Sequence, residues 1–100
     1  MQYSVNLSSP VHGFDGMSKA LYRLYYGNSG LDELIEMSGY PHNGGEHTCV
    51  IRGSKEDIIT WLDMFESTYY GIESEVKWIK REMENSNKVS LRKFYAKYCN

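Results

Sequence analysis

The chain has 100 residues, of which 41% are hydrophobic and 24% are charged, and its formal net charge is −2. This length and composition predict a single compact domain over residues 1–100 and exclude an intrinsically disordered chain. Two cysteines are too few for a secreted module built on disulfides. The residues after Met1 do not form a signal peptide, and no apolar stretch approaches the roughly 20 residues that span a bilayer. We therefore expect a cytoplasmic protein that does not enter a membrane.

The first forty residues predict one strand and two helices. Residues 2–8 alternate between apolar and polar side chains, which is typical of a half-buried strand. Asp15 or Ser18 is placed to cap a helix that runs to about Tyr26, where a Gly-Asn-Ser-Gly sequence ends it. A short helix is predicted over residues 31–38. Its inward-facing residues would be Leu31, Leu34 and Ile35.

The middle of the chain contains the most regular pattern. An irregular loop occupies residues 39–47, and a short buried strand is predicted over residues 48–52. Ser54, followed three residues later by Asp57, is similar to a capping box and predicts a helix that continues to about Thr68. The broad apolar face of this helix would consist of Ile58, Ile59, Trp61, Leu62 and Phe65.

Residues 72–83 fit two patterns. Apolar residues alternate with charged ones from Ile72 to Trp78, as in a strand, but apolar residues from Ile72 to Met83 also form a helical stripe. We favour a strand, because a strand–helix–strand unit over residues 48–80 would give the central helix a sheet to cover. A turn then leads to a final helix, whose apolar residues are Leu91, Phe94, Tyr95 and Tyr98.

This order of elements predicts an α+β domain in which a small antiparallel sheet is covered by helices. One arrangement that fits is ferredoxin-like with a degenerate second strand. A likeness at the level of the fold does not supply a function, so function has to be argued from particular residues.

Histidines and cysteines near the loop are candidates for metal binding or nucleophilic catalysis. His42, His47 and Cys49 carry ligand atoms that zinc accepts, and two more such residues, His12 and Cys99, lie elsewhere. Their spacing matches no zinc motif, and Cys49 lies in a segment predicted to be buried, where a thiolate is disfavoured. We therefore predict no metal, no cofactor and no enzymatic activity.

Charge is distributed unevenly along the chain. Residues 1–76 contain four basic and eleven acidic residues, whereas residues 77–100 contain seven basic and two acidic residues. Such a basic C-terminal element either contacts a partner or folds back onto the acidic body. Because its basic residues are interleaved with aromatic ones, the element also suits single-stranded nucleic acid. The residues that this alternative assigns to nucleic acid are Lys88, Arg92, Lys93 and Lys97.

Tyrosine is unusually frequent, with nine residues that include two adjacent pairs beside glycines. Adjacent residues on a helix cannot both face the core, so one tyrosine of each pair should be exposed. Exposed tyrosines are enriched at protein interfaces. The candidate partner-binding surface combines the loop over residues 39–47 with Tyr26, Tyr40, Tyr69 and Tyr70.

The leading hypothesis is a small non-enzymatic protein-binding domain. Scarce alanine and proline, together with abundant tyrosine, lysine and asparagine, indicate an AT-rich genome such as that of a bacteriophage, a mobile element or a low-GC bacterium. In that setting we expect the domain to bind and inhibit a host protein complex. The alternative is a small nucleic-acid-binding regulator that uses the basic C-terminal element.

Overall fold

The structure of the chain is a computed structural model, and it describes residues 1–10, 16–27, 30–39 and 46–98. These residues form an α+β fold with a four-stranded sheet and a separate two-stranded ribbon, which confirms the predicted class. None of the helices in these ranges is long and apolar enough to cross a membrane. The elements are β1 (Tyr3–Asn6), β2 (Ser9–Pro10), α1 (Gly16–Tyr26), a 3-10 turn (Leu31–Glu33), β3 (Glu36–Ser38), β4 (Glu46–His47), β5 (Val50–Gly53), α2 (Lys55–Thr68), α3 (Glu73–Glu82), β6 (Lys88–Ser90) and α4 (Leu91–Tyr98).

The four-stranded sheet has the strand order β3-β5-β1-β6. β5 pairs antiparallel with β1 and with β3, whereas β6 pairs with β1 in parallel, so the prediction of a purely antiparallel sheet is wrong at β6. The ferredoxin-like arrangement is not confirmed, because its split βαβ unit would place parallel strands at the centre, where β1 and β5 are antiparallel. One row across the sheet contains Met37, Ile51, Val5 and Val89.

α1 and α2 bury the apolar faces that their patterns predicted. Ser54 Oγ accepts a hydrogen bond from the backbone N–H of Asp57 at 3.1 Å, which caps the first turn of α2 as expected. Phe65 is fully buried, and its ring stacks on that of Trp61 with 4.8 Å between centroids. The indole N–H of Trp61 donates to the carbonyl oxygen of Leu31 at 2.9 Å. α2 is therefore held both by the core and by the segment that follows α1.

Two segments differ from the sequence prediction. Residues 72–83, for which we favoured a strand, contain α3, and their buried positions follow the helical stripe from Ile72 to Met83. The helix predicted over residues 31–38 is instead a single 3-10 turn followed by β3. Leu34, which was expected to point inward, is 51% exposed. In the structure, the segment that follows α2 is therefore a helix and not the predicted strand.

Candidate binding surfaces

α1 has two opposite faces. The face that enters the core consists of Met17, Ala20, Leu21 and Leu24. An exposed stripe at the i, i+3, i+4 and i+7 positions consists of Lys19, Tyr22, Arg23 and Tyr26. The rings of Tyr22 and Tyr26 lie 4.8 Å apart between centroids, and Tyr26 is 67% exposed. A surface helix usually presents charged and polar residues on its exposed face, whereas two of the four residues in this stripe are tyrosines.

A contact between two glycine backbones brings the turn between α2 and α3 against the start of α1. Gly16 has a φ of 56°, and a Cβ there would lie 2.9 Å from the carbonyl oxygen of Gly71. Gly71 has a φ of 82°, and a Cβ there would lie 3.3 Å from the Cα of Gly16. Both positions therefore favour glycine for its backbone conformation and for its lack of a side chain. The contact places Tyr70, which is 90% exposed, beside the exposed stripe of α1.

A shallow cavity of about 220 Å³ lies between α1 and this turn. Its lining includes Lys19 and Arg23 from the exposed stripe, and Tyr70 from the turn. α1 contains no acidic residue, and within the described residues neither Lys19 nor Arg23 forms an ion pair. The surface is therefore locally positive on the otherwise acidic body. We refer to Lys19, Tyr22, Arg23, Tyr26 and Tyr70 as the α1 tyrosine face.

The structure separates the four tyrosines that the sequence singled out. Tyr26 and Tyr70 are exposed and lie on the α1 tyrosine face. Tyr69, which we assigned to the surface, is buried and meets Phe65 edge-on at 5.4 Å between centroids, so its ring belongs to the core. Tyr40 and residues 41–45 of the predicted loop lie outside the described residues.

Sequence reasoning missed Tyr22 as a member of this face, although its i, i+4 spacing to Tyr26 was a usable signal. It also missed a buried contact beneath the face. Ser18 Oγ and His47 Nδ1 lie 2.7 Å apart, and the His47 ring meets Tyr22 edge-on at 6.1 Å between centroids. Ser18 and His47 are 29 positions apart, so no local pattern could join them. Together they tie β4, at the end of the predicted loop, to α1.

A serine hydrogen-bonded to a histidine is also the arrangement of a nucleophile and its base. Such a pair can react only if a substrate reaches the serine oxygen. Ser18 is 3% exposed and His47 is 1% exposed, which closes the serine oxygen to a substrate in this structure. We assign the pair a structural role, since the contact lets two buried polar side chains form a hydrogen bond with each other.

The candidate metal and nucleophile residues do not converge in the described part of the chain. Cys49 is fully buried, and burial raises the pKa of its thiol from 9.0 to about 12, which disfavours the thiolate that a nucleophile needs. Among the described residues, no group of three or more His, Cys, Asp or Glu side chains could hold a metal ion. The other candidates lie outside those residues, namely His12, His42 and Cys99.

The basic C-terminal element is mostly exposed. The four residues assigned to nucleic acid are Lys88 on β6 and Arg92, Lys93 and Lys97 on α4, and all four are exposed. Lys80 of α3 forms a salt bridge with Asp63 of α2, so one residue of the element does contact the acidic body. The ammonium group of Lys97 lies 5.3 Å from the centroid of the Tyr98 ring.

α3 and α4 enclose a second groove of about 380 Å³, which we call the α3–α4 groove. Its lining residues are Ser74, Lys77, Trp78, Arg81, Phe94 and Tyr98. The ring of Phe94 lies 5.6 Å from that of Trp78 and 5.1 Å from that of Tyr98, between centroids. The hydroxyl of Tyr95 donates to the carboxylate of Glu75 at 3.0 Å and joins the two helices. The sequence singled out these aromatic and basic residues but not the groove, because it favoured a strand where α3 lies.

Comparisons of the chain with protein-family models, with curated proteins and with solved structures give no match in any of the three. A proposal about function therefore depends on the chemistry of the α1 tyrosine face and of the α3–α4 groove.

Proposed function

We propose that this chain is a non-enzymatic domain that binds a protein partner through the α1 tyrosine face. The observation that carries the proposal is that exposed Tyr22 and Tyr26 share one stripe of α1 with Arg23, which lines a shallow cavity together with exposed Tyr70. Tyrosine and arginine are enriched at the energetic centres of protein interfaces. A cytoplasmic location and the inhibition of a host complex belong to the same proposal, and they rest on composition.

The exposed rings supply a driving force for association. Tyr26 is 67% exposed and Tyr70 is 90% exposed. Covering both rings would remove on the order of 200 Å² of surface from water, a contribution of about 5 kcal/mol before the entropic costs of association. A tyrosine ring has only two side-chain torsions, so fixing it costs little conformational entropy.

The face is also held in place before a partner arrives. Tyr22 packs between Tyr26 and the His47 ring, and His47 is fixed by its contact with Ser18. The Gly16 backbone contact holds the turn that carries the remaining tyrosine. A preformed surface binds more tightly, because less ordering has to occur on association.

Charge indicates the kind of partner surface. Lys19 and Arg23 project from the face and make no ion pair within the described residues. An acidic patch on the partner would complement them and would accelerate the encounter of the two proteins.

The proposal is tested by affinity capture from lysate of the cells in which the chain occurs, after nuclease treatment. The variant carries Tyr26→Ser and Tyr70→Ser, and the matched control carries Tyr98→Ser, another exposed tyrosine that lies outside the face. We expect wild type and control to retain the same protein partner. The double variant should bind that partner on the order of 1,000-fold more weakly, since two central interface residues at about 2 kcal/mol each contribute about 4 kcal/mol. Equal recovery of the partner by the double variant would contradict the proposal.

A further inference from the structure

We propose that the α3–α4 groove is a binding site for single-stranded nucleic acid. This inference is independent of the proposed protein-binding function, because the groove and the α1 tyrosine face share no residue. It narrows the alternative drawn from the sequence to one site, since the two basic residues that line the groove are Lys77 and Arg81 of α3. None of the four basic residues assigned earlier lines it.

The groove has an uncompensated positive charge. Lys77 and Arg81 are exposed, and within the described residues neither forms an ion pair. Among the described residues no carboxylate lines the groove, and the Glu75 carboxylate on α3 accepts a hydrogen bond from the Tyr95 hydroxyl. α4 contributes no acidic residue to either side. The two cations of the described lining are therefore available to phosphates.

Aromatic rings lie beside these cations. Trp78 and Phe94 are half-buried and form the floor of the groove, whereas Tyr98 is 56% exposed at its edge. The Lys97 ammonium group over the Tyr98 ring adds a cation at the same edge. Nucleic-acid bases stack on such rings regardless of sequence, while the backbone contacts neighbouring lysine and arginine side chains.

The combination favours nucleic acid over an acidic peptide. Each nucleotide offers one phosphate and one flat base, and the groove offers a partner for both, since Lys77 and Arg81 line it together with three aromatic rings. An acidic peptide would use the cations but would leave most of the ring faces uncovered.

The test is a titration of labelled oligothymidylate and oligouridylate of about 12 nucleotides, followed by fluorescence anisotropy. Two phosphate contacts should lower the affinity of wild type about 7-fold between about 50 and 200 mM salt. The charge-reversal variant Lys77→Glu with Arg81→Glu should bind more weakly than wild type, and the slope of log affinity against log salt should become shallower by about 1.4. Tyr98→Ala, which removes an exposed ring, should weaken binding by about 5- to 150-fold.

A matched control reverses the same amount of charge at Lys19 and Arg23 on the α1 tyrosine face. This control should bind the oligonucleotides at least half as tightly as wild type at about 150 mM salt, where charges more than about 8 Å apart are screened. Thermal unfolding should show that all variants remain folded, since each substituted side chain is exposed. Equal losses in both charge-reversal variants would overturn the site. An absence of binding by wild type at low salt, at protein concentrations up to about 100 µM, would also overturn the site. A labelled oligoglutamate peptide that binds more tightly than the oligonucleotides would overturn the choice of ligand.

Discussion

Replacement of Gly16 by alanine tests the contact that assembles the α1 tyrosine face. The new Cβ would lie 2.9 Å from the carbonyl oxygen of Gly71, in a turn whose backbone cannot yield without moving α2 or α3. A side chain at a φ of 56° costs about 1–2 kcal/mol, and overpacking against backbone costs about 1–3 kcal/mol more. The expected loss in the free energy of unfolding is therefore about 2–5 kcal/mol.

Gly30→Ala is a matched control for this substitution. Gly30 also has a positive φ, of 78°, but an added Cβ there would meet nothing within 4 Å. Gly30→Ala should lower the free energy of unfolding by about 1–2 kcal/mol, which is the cost of placing a side chain at a positive φ. The difference between the two variants isolates the contact between Gly16 and Gly71.

The measurement is urea unfolding of wild type and both variants, followed by the fluorescence of the buried Trp61. A loss of 2–5 kcal/mol corresponds to a drop in Tm of roughly 10–30 °C for a domain of this size. Equal losses in the Gly16 and Gly30 variants would show that α1 does not rest on the turn, and would refute the argument for a composite face.

Three further predictions concern the core. Phe65→Ala should lower the free energy of unfolding by about 3–5 kcal/mol, because the ring is fully buried; an unchanged urea midpoint would show that the α2 face is assigned wrongly. Ser18→Ala should lower the free energy of unfolding by about 1–3 kcal/mol, because it removes the buried hydrogen bond between Ser18 Oγ and His47 Nδ1; a loss below about 0.5 kcal/mol would argue against the pair. Burial keeps the Cys49 thiol neutral up to a pKa of about 12, whereas in the unfolded chain it ionises near 9.0. Above pH 9, wild type should therefore lose stability relative to Cys49→Ala by about 1.4 kcal/mol per pH unit, and parallel pH profiles would contradict this.

The elements that the sequence predicted correctly are those whose signals are local. α2 has a serine cap, a broad apolar face and a length that only a helix fits, and α1 has an apolar stripe that ends at a glycine. α3 was predicted to be a strand, because residues 72–83 fit both the strand period and the helix period. The strand was chosen on the assumption that α2 needed a sheet strand on either side of it in the chain. The strand that does complete the sheet, β6, has three residues and one buried side chain, Val89, which is too little pattern to detect.

The binding surfaces were predictable only in part. The expectation that one tyrosine of each pair is exposed is confirmed at Tyr26 and Tyr70. Helix geometry accounts for Tyr26 on α1, whereas Tyr70 lies in the turn after α2, which ends at Thr68. Their placement on one face depends on Gly16 meeting Gly71, a contact 55 positions apart that no periodicity encodes. The α3–α4 groove could not be predicted, because it exists only if α3 is a helix.

Site-specific photo-crosslinking is the most direct test of the claim that the α1 tyrosine face binds a protein. A photoreactive benzoyl-phenylalanine replaces Tyr26, Tyr70 or, as the control outside the face, Tyr98, and each variant is irradiated in nuclease-treated lysate. The account predicts one crosslinked protein, of the same mass, from positions 26 and 70 and none from position 98. Crosslinks of equal yield at all three positions, or a protein crosslinked only from position 98, would contradict it.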